Sequence, residues 1–225
     1  DVNVEEGTMT ERKVVPVNNS SHLAISVNGK YLYSIADEGV AVFAIEPDGD
    51  LTFINKVGID GMRGCHLSTD TKGKYLYVAG YHDGKVTVVH THRDGRLGSV
   101  MDGVFHKGLG SVAERNFRPH VSCVRPTPDG KYLFTSTAGD DSVAMFAINP
   151  DDGTLTKEFA LPISGEYPKD IALFPDGKHL AVVNHESNSI TTFAIDYEKK
   201  LIVMKGKPMK VETPNCILMT NIEVE

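Results

Sequence analysis

Seven polar side chains in this chain could act together on a ligand that carries a carbonyl group or a negative charge. They are Arg63, His66, Arg118, His120, Ser122, Lys169 and Asp170. A histidine has an ordinary pKa near neutrality, so it can take up or release a proton in catalysis. An arginine or a lysine can hold an anion. The seven residues form three clusters far apart in the sequence, so only the fold can bring them into one site.

A fourfold repeat indicates what that fold is. Its copies span residues 27–51, 71–97, 128–155 and 175–201. The lysine of the Gly-Lys pair in each copy falls at Lys30, Lys74, Lys131 and Lys178, so the periods are 44, 57 and 47. The long period contains an insertion, residues 106–117, which is rich in glycine and charge and which we interpret as a loop.

Each copy has the alternating pattern of β-strands. A Gly-Lys turn leads into an apolar run such as YLYSI, a polar tip follows, and a second alternating run such as VAVFAI ends in another turn. Alternation of this kind between turns is typical of antiparallel hairpins. With one strand before and one after, each copy supplies four strands in about 45 residues, the period of a propeller blade. The sequence therefore predicts an all-β fold, a β-propeller with four complete four-stranded antiparallel blades.

The repeat also predicts where the blades begin and end. We expect a single propeller domain over residues 1–225, with blades near residues 18–57, 62–105, 118–161 and 166–210. Residues 1–17 look like the end of another blade and residues 213–225 like its start, so they are predicted to be parts of a fifth, ring-closing blade. The lack of middle strands for that blade, and the start at Asp1 without a methionine, favour a fragment over a five-bladed ring.

Composition narrows the class of ligand and the compartment. The net charge is −7 with acidic and basic residues interspersed, which argues against a nucleic-acid partner because a phosphate backbone needs a basic stripe. No apolar run in the sequence is long enough to span a membrane. Cys65, Cys123 and Cys216 are too scattered for a disulfide framework, so a reducing, cytoplasmic location is predicted. The oligomeric state is left open.

Blade geometry predicts where the polar clusters meet. In a propeller the innermost strand of each blade lines a central channel, and the residues that lead into it surround the channel mouth. The eighth residue before the repeated lysine is His22, His66, Cys123 or Asp170, and the eleventh is Asn19, Arg63, His120 or Tyr167. For any single residue the simpler interpretation is a hydrogen bond to the neighbouring blade. For the set as a whole we expect a binding site at the mouth.

The segment around His120 is predicted to be rigid and extended. Pro119 fixes its own φ and biases Arg118 toward an extended conformation. In an extended segment, residues two apart point to the same side. The sequence therefore predicts that Arg118 and His120 both face the mouth, His120 as a base or a donor to a carbonyl oxygen and Arg118 as a contact for an anion.

The blade sequences resemble a known family, the seven-bladed propeller lactonases, which include 6-phosphogluconolactonases and a carboxymuconate-lactonizing enzyme. GCHLSTDTKGKYLYVAGYHDGKVTVV (64–89), VFHKGLG (104–110) and RPHVSCV (118–124) are similar to the second blade of the family and to the loop and blade entry that follow. YPKDIALFPDGKHLAVVNHESNSITTF (167–193) is similar to its last full blade. The resemblance covers nearly the whole chain. It implies that two intervening blades are missing, with the join inside RPHVSCVRPTPDGKYLF (118–134).

The resemblance implies hydrolysis of a sugar lactone, with 6-phosphogluconolactone as the expected substrate and with neither metal nor cofactor. Such a reaction needs a base for water and a donor to the carbonyl oxygen, and a phosphorylated substrate also needs cations. The expected catalytic residues are His66, His120, Lys169, His185 and Glu186. The expected substrate-binding residues are Arg63, Arg118, Ser122 and Asp170.

The chain departs from the family pattern in ways that keep other functions open. Where relatives have Pro-His-Val-His, this chain has Pro-His-Val-Ser, so Ser122 replaces the second histidine. The arginine and glutamate that accompany that histidine lie in a missing blade, and the equivalent positions here hold Lys169 and His185, beside Glu186. A sugar-phosphate-binding propeller that has lost catalysis and a protein-interaction propeller are the alternatives. The polar mouth argues against the second.

Overall fold

The computed structural model describes residues 1–110 and 118–220 of the chain. Within these ranges every regular element is a β-strand, and no helix capable of crossing a membrane is found there. Four sheets each contain four consecutive antiparallel strands, and the fourth sheet has one additional short strand. The predicted all-β architecture of four-stranded blades is therefore confirmed.

The strands follow chain order, four to a blade. A short hairpin, β1 (Val2–Asn3) and β2 (Thr8–Met9), precedes the blades. Blade 1 contains β3 (Leu23–Ile25), β4 (Tyr31–Ala36), β5 (Gly39–Ile45) and β6 (Leu51–Gly58). Blade 2 contains β7 (His66–Thr69), β8 (Tyr75–Gly80), β9 (Lys85–Thr91) and β10 (Leu97–Phe105). Blade 3 contains β11 (Val121–Pro126), β12 (Tyr132–Thr137), β13 (Ser142–Ile148) and β14 (Leu155–Pro162). Blade 4 contains β15 (Pro168–Leu173), β16 (His179–Asn184), β17 (Ser189–Asp196) and β18 (Leu201–Met204), and β19 (Met209–Lys210) also pairs with β17.

The first turn of every blade depends on its glycine. These glycines have a positive φ, which glycine adopts without steric cost. They are Gly29, Gly73, Gly130 and Gly177. The chain therefore reverses at the same point in all four copies. Each inner strand begins at the opposite end of its blade, beside the polar tip that joins the second and third strands.

The hydrophobic core lies between the blades. Successive residues of a strand point to opposite faces of the sheet, so each blade can pack against both neighbours. Ile35 of blade 1 packs in one cluster with Leu76 of blade 2, and Phe134 of blade 3 in another with Leu180 of blade 4. A third cluster joins blades 2 and 3. Each such fully buried side chain contributes roughly 1.5–3 kcal/mol through removal of apolar surface from water.

The face of blade 1 that points away from blade 2 lacks a complete partner. Leu23 is 54% exposed there, whereas Leu67, at the same position of blade 2, is 1% exposed. Val15 and Val17 cover another part of this face. Residues 1–17 and 213–220 share no sheet in the described part of the chain. The ring-closing blade and the blade boundaries therefore stay predictions.

Candidate functional site

Residues at the eighth position before the repeated lysine bind the backbone of the next inner strand. His22 accepts, through Nδ1, the backbone N–H of Leu67 in blade 2 at 3.2 Å. His66 accepts in the same way the backbone N–H of Val124 in blade 3 at 3.4 Å. Asp170 does the same toward the C-terminal segment, where its Oδ2 accepts from the N–H of Ile217 at 3.0 Å. The same contact therefore recurs around the axis with two different residue types.

Residues at the ninth position donate in the same direction. Ser21 donates through Oγ to the carbonyl oxygen of Gly64, before the inner strand of blade 2, at 3.1 Å. Ser122 donates likewise to the carbonyl oxygen of Pro168, at the start of the inner strand of blade 4, at 2.7 Å. Cys65 donates through Sγ in the same way, at 3.3 Å. Side-chain bonds at the two positions thus join neighbouring inner strands. We call the residues that make them the strut residues: Ser21, His22, Cys65, His66, Ser122 and Asp170.

Three residues expected to take part in the chemistry are therefore strut residues: His66, Ser122 and Asp170. His66 and Asp170 are buried, and Ser122 is half-buried. Burial lowers the pKa of His66 well below its usual value, and the positive charges of Arg125 and His22 lower it further. The imidazole is therefore neutral near neutral pH. These contacts fit the simpler, structural interpretation, while a catalytic or substrate-binding role for the three stays a prediction.

His66, Cys123 and Asp170 place an imidazole, a thiol and a carboxylate within 4.8 Å of one another, a combination that can bind a transition metal. Their protons instead form a hydrogen-bonded chain. Since His66 Nδ1 accepts a backbone N–H, its proton lies on Nε2, which faces Cys123 Sγ at 3.6 Å. The thiol donates to Asp170 at 3.0 Å, and burial raises the pKa of that thiol well above its usual value. A metal would need the Nε2 lone pair and a thiolate, so this arrangement does not fit one.

His120 lies beneath the mouth, and its surroundings correct one prediction. Its φ of 52° is in the left-handed region, so the segment is not extended, and backbone bonds from the tip of blade 3 hold it in that turn. The prediction of an extended segment is therefore wrong, and a shared orientation of Arg118 and His120 no longer follows from it. His120 is 2% exposed, donates through Nδ1 to the carbonyl oxygen of Tyr81 at 2.6 Å and stacks on the Tyr81 ring with centroids 4.4 Å apart. Arg118 extends over the tip of blade 2 and donates to the carbonyl oxygen of His82 at 2.7 Å.

Two tyrosines absent from the predicted site lie at the centre of the mouth. Tyr81, at the tip of blade 2, and Tyr167, at the entry of blade 4, are hydrogen-bonded through their hydroxyl groups across 86 residues of sequence. Tyr81 is half-buried and Tyr167 is buried, so Tyr81 is the more exposed residue of the pair. Tyr167 occupies the eleventh position before a repeated lysine, so counting finds it, but nothing in the sequence marks Tyr81.

Lys169 and His185 flank Tyr167 on blade 4. Lys169 Nζ donates to a side-chain oxygen of the C-terminal segment at 2.8 Å and lies 5.8 Å from the centre of the Tyr167 ring. The His185 ring lies 6.2 Å from the same ring, and its Nδ1 donates to the carbonyl oxygen of Pro214 at 3.2 Å. Because a carbonyl oxygen can only accept, the proton of the neutral ring is on Nδ1 and Nε2 keeps its lone pair. We call four residues the rim residues: Tyr81, Tyr167, Lys169 and His185.

Arg63 lies on another side of the mouth, in a cleft of about 280 Å³ between the tips of blades 1 and 2. Its other lining residues are Asn19, Asp37, Glu38, Met62 and His82. Arg118 reaches the same tip through its bond to the backbone of His82. The fold thus brings Lys169 and His185 together around Tyr167, and Arg63 and Arg118 to the tip of blade 2. Glu186 is exposed at the tip of blade 4.

One protein family matches most of the chain. It is described as Lactonase, 7-bladed beta-propeller, and it matches residues 1–141 and 122–219. The two matched segments overlap over residues 122–141. This overlap includes most of the stretch, residues 118–134, in which a join between two blades is expected, and the join itself stays a prediction.

Curated relatives and solved structures agree with that match. The 6-phosphogluconolactonase of Bacillus subtilis (strain 168) is 31% identical over 204 residues, which cover 88% of this chain and 57% of that protein. A 6-phosphogluconolactonase of Formosa agariphila is 27% identical, over 81% of this chain and 55% of that protein. The chain therefore spans about half the length of these relatives.

Among solved structures, a protein from Lactobacillus plantarum has a TM-score of 0.81 at 25% identity, covering 91% of this chain and 60% of that one. A putative 6-phosphogluconolactonase from Bacteroides fragilis has a TM-score of 0.58 at 24% identity, covering 96% of this chain and 91% of that one. At that level of identity the second likeness supports the fold alone.

Proposed function

Because the chain belongs to the family of seven-bladed β-propeller lactonases, we propose that it hydrolyses a sugar lactone at the mouth between blades 2 and 4. The proposed substrate is 6-phosphogluconolactone, after the name of two of its relatives. The observation that carries the proposal is the group of rim residues, which places a second hydroxyl group, an ammonium group and an imidazole around Tyr167. Neither a metal nor a cofactor is part of it.

His185 is the base in this proposal. Its Nδ1 is bonded to Pro214, so Nε2 can accept a proton from water. The water oxygen attacks the carbonyl carbon of the lactone, and the ring C–O bond then breaks as His185 returns the proton to the leaving oxygen. Water is thereby added across that bond. The product is the open sugar acid, and the histidine ends in its starting state.

The tyrosine pair is the donor to the carbonyl oxygen. Either hydroxyl of the pair can donate to the other; in the proposed arrangement Tyr167 donates to Tyr81, which leaves the Tyr81 proton for the substrate. The His120 ring stacked on Tyr81 fixes the orientation of that donor before the substrate arrives. A donor held in place in this way stabilises the negative charge that develops on the oxygen. His120 therefore acts as a positioning residue, and its burial is compatible with that role.

Three cations can attract a phosphorylated substrate. Lys169 lies closest to the tyrosines, while Arg63 and Arg118 lie at the tip of blade 2. Because the net charge of the whole chain is −7, attraction of such a substrate depends on these local cations. The same overall charge supports a small-molecule partner over nucleic acid.

Ser122 favours a second candidate function, binding of a sugar phosphate without hydrolysis. It stands where the family motif has a histidine, and its hydroxyl group is already engaged by the carbonyl oxygen of Pro168 at 2.7 Å. If that histidine is essential in the relatives, this mouth would retain the ligand without converting it. The sequence and the rim geometry are compatible with both functions, so turnover has to be measured.

A cytoplasmic location belongs to the same proposal. Cys65, Cys123 and Cys216 form no disulfide, which supports a reducing compartment. One structural neighbour is described as a periplasmic gluconolactonase of Pseudomonas aeruginosa, with a TM-score of 0.56 at 17% identity. The fold alone therefore does not determine the compartment.

Hydrolysis of 6-phosphogluconolactone and of gluconolactone by the purified chain tests the proposal, with acid release measured above the spontaneous rate. We expect turnover, with the phosphorylated substrate preferred. His185→Gln should lower kcat by about a hundredfold or more, the usual contribution of a general base. His179→Gln is the matched control, because His179 lies in the same blade at the opposite end and pairs with Asp176.

Two other outcomes distinguish the candidates. Absence of turnover together with saturable binding of 6-phosphogluconate establishes the binding function. Absence of both turnover and binding contradicts both proposals.

A further inference from the structure

A second polar cleft lies at the end of the blades opposite the mouth. Its volume is about 260 Å³, and it opens between the Gly-Lys turns of blades 1 and 2 and the last turn of blade 2. Lys72, His92 and Arg93 line it together with the rings of Tyr31 and Tyr33. None of the described residues that line the cleft is acidic.

Lys72 stands where the other blades have a turn-forming residue. There, Asn28, Asp129 and Asp176 each accept the backbone N–H two residues later, at 3.0, 3.1 and 2.8 Å. In blade 2 the equivalent N–H is bound instead by Asp70, whose Oδ1 accepts it at 2.6 Å. The turn is therefore complete without a contribution from position 72, and the fold gives no reason for a lysine there.

Arg93 is also not needed by its turn. Blades 1 and 3 have Pro47 and Pro150 at this position. The turn of blade 2 is held by Asp94, which accepts a backbone N–H two residues later at 3.2 Å. Within residues 1–110 and 118–220, neither Lys72 nor Arg93 forms an ion pair. Two cations thus face the same cleft without neutralisation by a carboxylate.

Two histidines lie side by side at the edge of this cleft. His92 packs edge-on against His90, with ring centroids 4.7 Å apart. Burial lowers the pKa of His90, and the positive charges of His92 and Lys74 lower it further. The chain as a whole carries a net charge of −7, so the positive charge of Lys72 and Arg93 is a local feature of this cleft.

We propose that this cleft is an anion-binding site for a phosphate dianion. Lys72 and Arg93 would form charge-assisted hydrogen bonds to its oxygens, and the hydroxyl group of Thr69, which also lines the cleft, can donate to it. The site lies at the other end of the blades from the rim residues. It is therefore independent of the proposed hydrolysis and can exist whether or not the chain is a lactonase.

Titration of the purified chain with inorganic phosphate, near neutral pH and at low ionic strength, tests the proposal. The probe is the C2 proton of His92 in the NMR spectrum, because it reports on this cleft and not on the cations of the mouth. His92→Asn, which introduces the residue of blade 3 at this position, assigns the resonance. We expect a saturable shift with a millimolar Kd.

Lys72→Asp introduces the residue that blades 3 and 4 have at this position, so the variant should fold. It should weaken phosphate binding by about tenfold or more, since it replaces an attractive charge by a repulsive one. Lys207→Asp is the matched control, because it makes the same change of charge at an exposed position of blade 4, and it should leave binding unchanged. An unmoved His92 resonance, or equal weakening by both substitutions, overturns the proposal.

Discussion

The strut residues lie in the short segments at the start of the inner strands, and two of the rim residues, Tyr167 and Lys169, lie in the segment before the inner strand of blade 4. The two groups differ in what they bind. A strut residue binds the backbone of the next strand, so any side chain with a suitable donor or acceptor can serve. His66 and Asp170 accept the same kind of backbone N–H although one is an imidazole and the other a carboxylate. Among the rim residues, Tyr81 and Tyr167 bind each other across blades, whereas Lys169 and His185 bind the C-terminal segment. In a repeat fold, a histidine or an aspartate is therefore weak support for catalysis when its contact recurs from copy to copy.

Lys169 is the position at which the two sets meet. It occupies the ninth position before the repeated lysine, where other blades have serine or cysteine bonded to the next backbone. Its longer side chain reaches the C-terminal segment and places the ammonium group beside Tyr167. Blade 4 thus departs from the strut pattern at the point where a cation is useful to an anionic substrate.

Replacement of Asp170 should produce the largest loss of stability. Asp170 accepts from the Cys123 thiol and the Ile217 backbone, and its carboxylate lies 3.4 Å from Arg125. Asp170→Ala leaves these groups without their acceptor, which should lower the free energy of unfolding by about 3 kcal/mol. Urea denaturation measures the change. Asp152→Ala, at an exposed turn, is the control and should cost less than about 1 kcal/mol. Equal losses in the two variants would contradict the strut role.

The pH dependence of stability tests His66 as a strut. Burial holds its pKa in the folded chain well below the ordinary value of 6.5. As the pH falls below that value, the unfolded chain binds a proton and the folded chain does not. The stability is therefore fully present above that pH and decreases as the pH falls toward the folded pKa. The urea concentration at half unfolding should decrease as the pH is lowered through this window, and His66→Gln should make that decrease smaller. An unchanged slope in the variant would show that His66 is not buried in its neutral form.

The blades and the axial positions can be predicted from the sequence because their signals are local. Strand alternation and the Gly-Lys turns repeat within each copy, and these predict four sheets. Counting from the repeated lysine then identifies residues that lie at neighbouring inner strands, as His22 and His66 do with ring centroids 4.2 Å apart. The resemblance to the lactonases adds the expected chemistry, which the repeat alone does not contain.

The rim depends on contacts that no local signal reports. Tyr81 and Tyr167 meet across blade 3, so their contact follows from how the blades pack and twist. His120 adopts a left-handed conformation, which is uncommon for a residue other than glycine. That single backbone angle explains why the prediction of an extended segment was wrong.

We propose that the rim residues carry out the chemistry and that the strut residues hold the blades together. The most direct test of this division is to measure kcat/KM per folded molecule, with 6-phosphogluconolactone as substrate, and the free energy of unfolding for Tyr81→Phe and Ser122→Ala. We expect Tyr81→Phe to lower kcat/KM by about tenfold or more, through loss of the donor to the carbonyl oxygen, and to cost at most about 1 kcal/mol of stability. Ser122→Ala should cost about 1 kcal/mol and leave kcat/KM unchanged. Full activity in Tyr81→Phe, or lost turnover in folded Ser122→Ala, would contradict the claim.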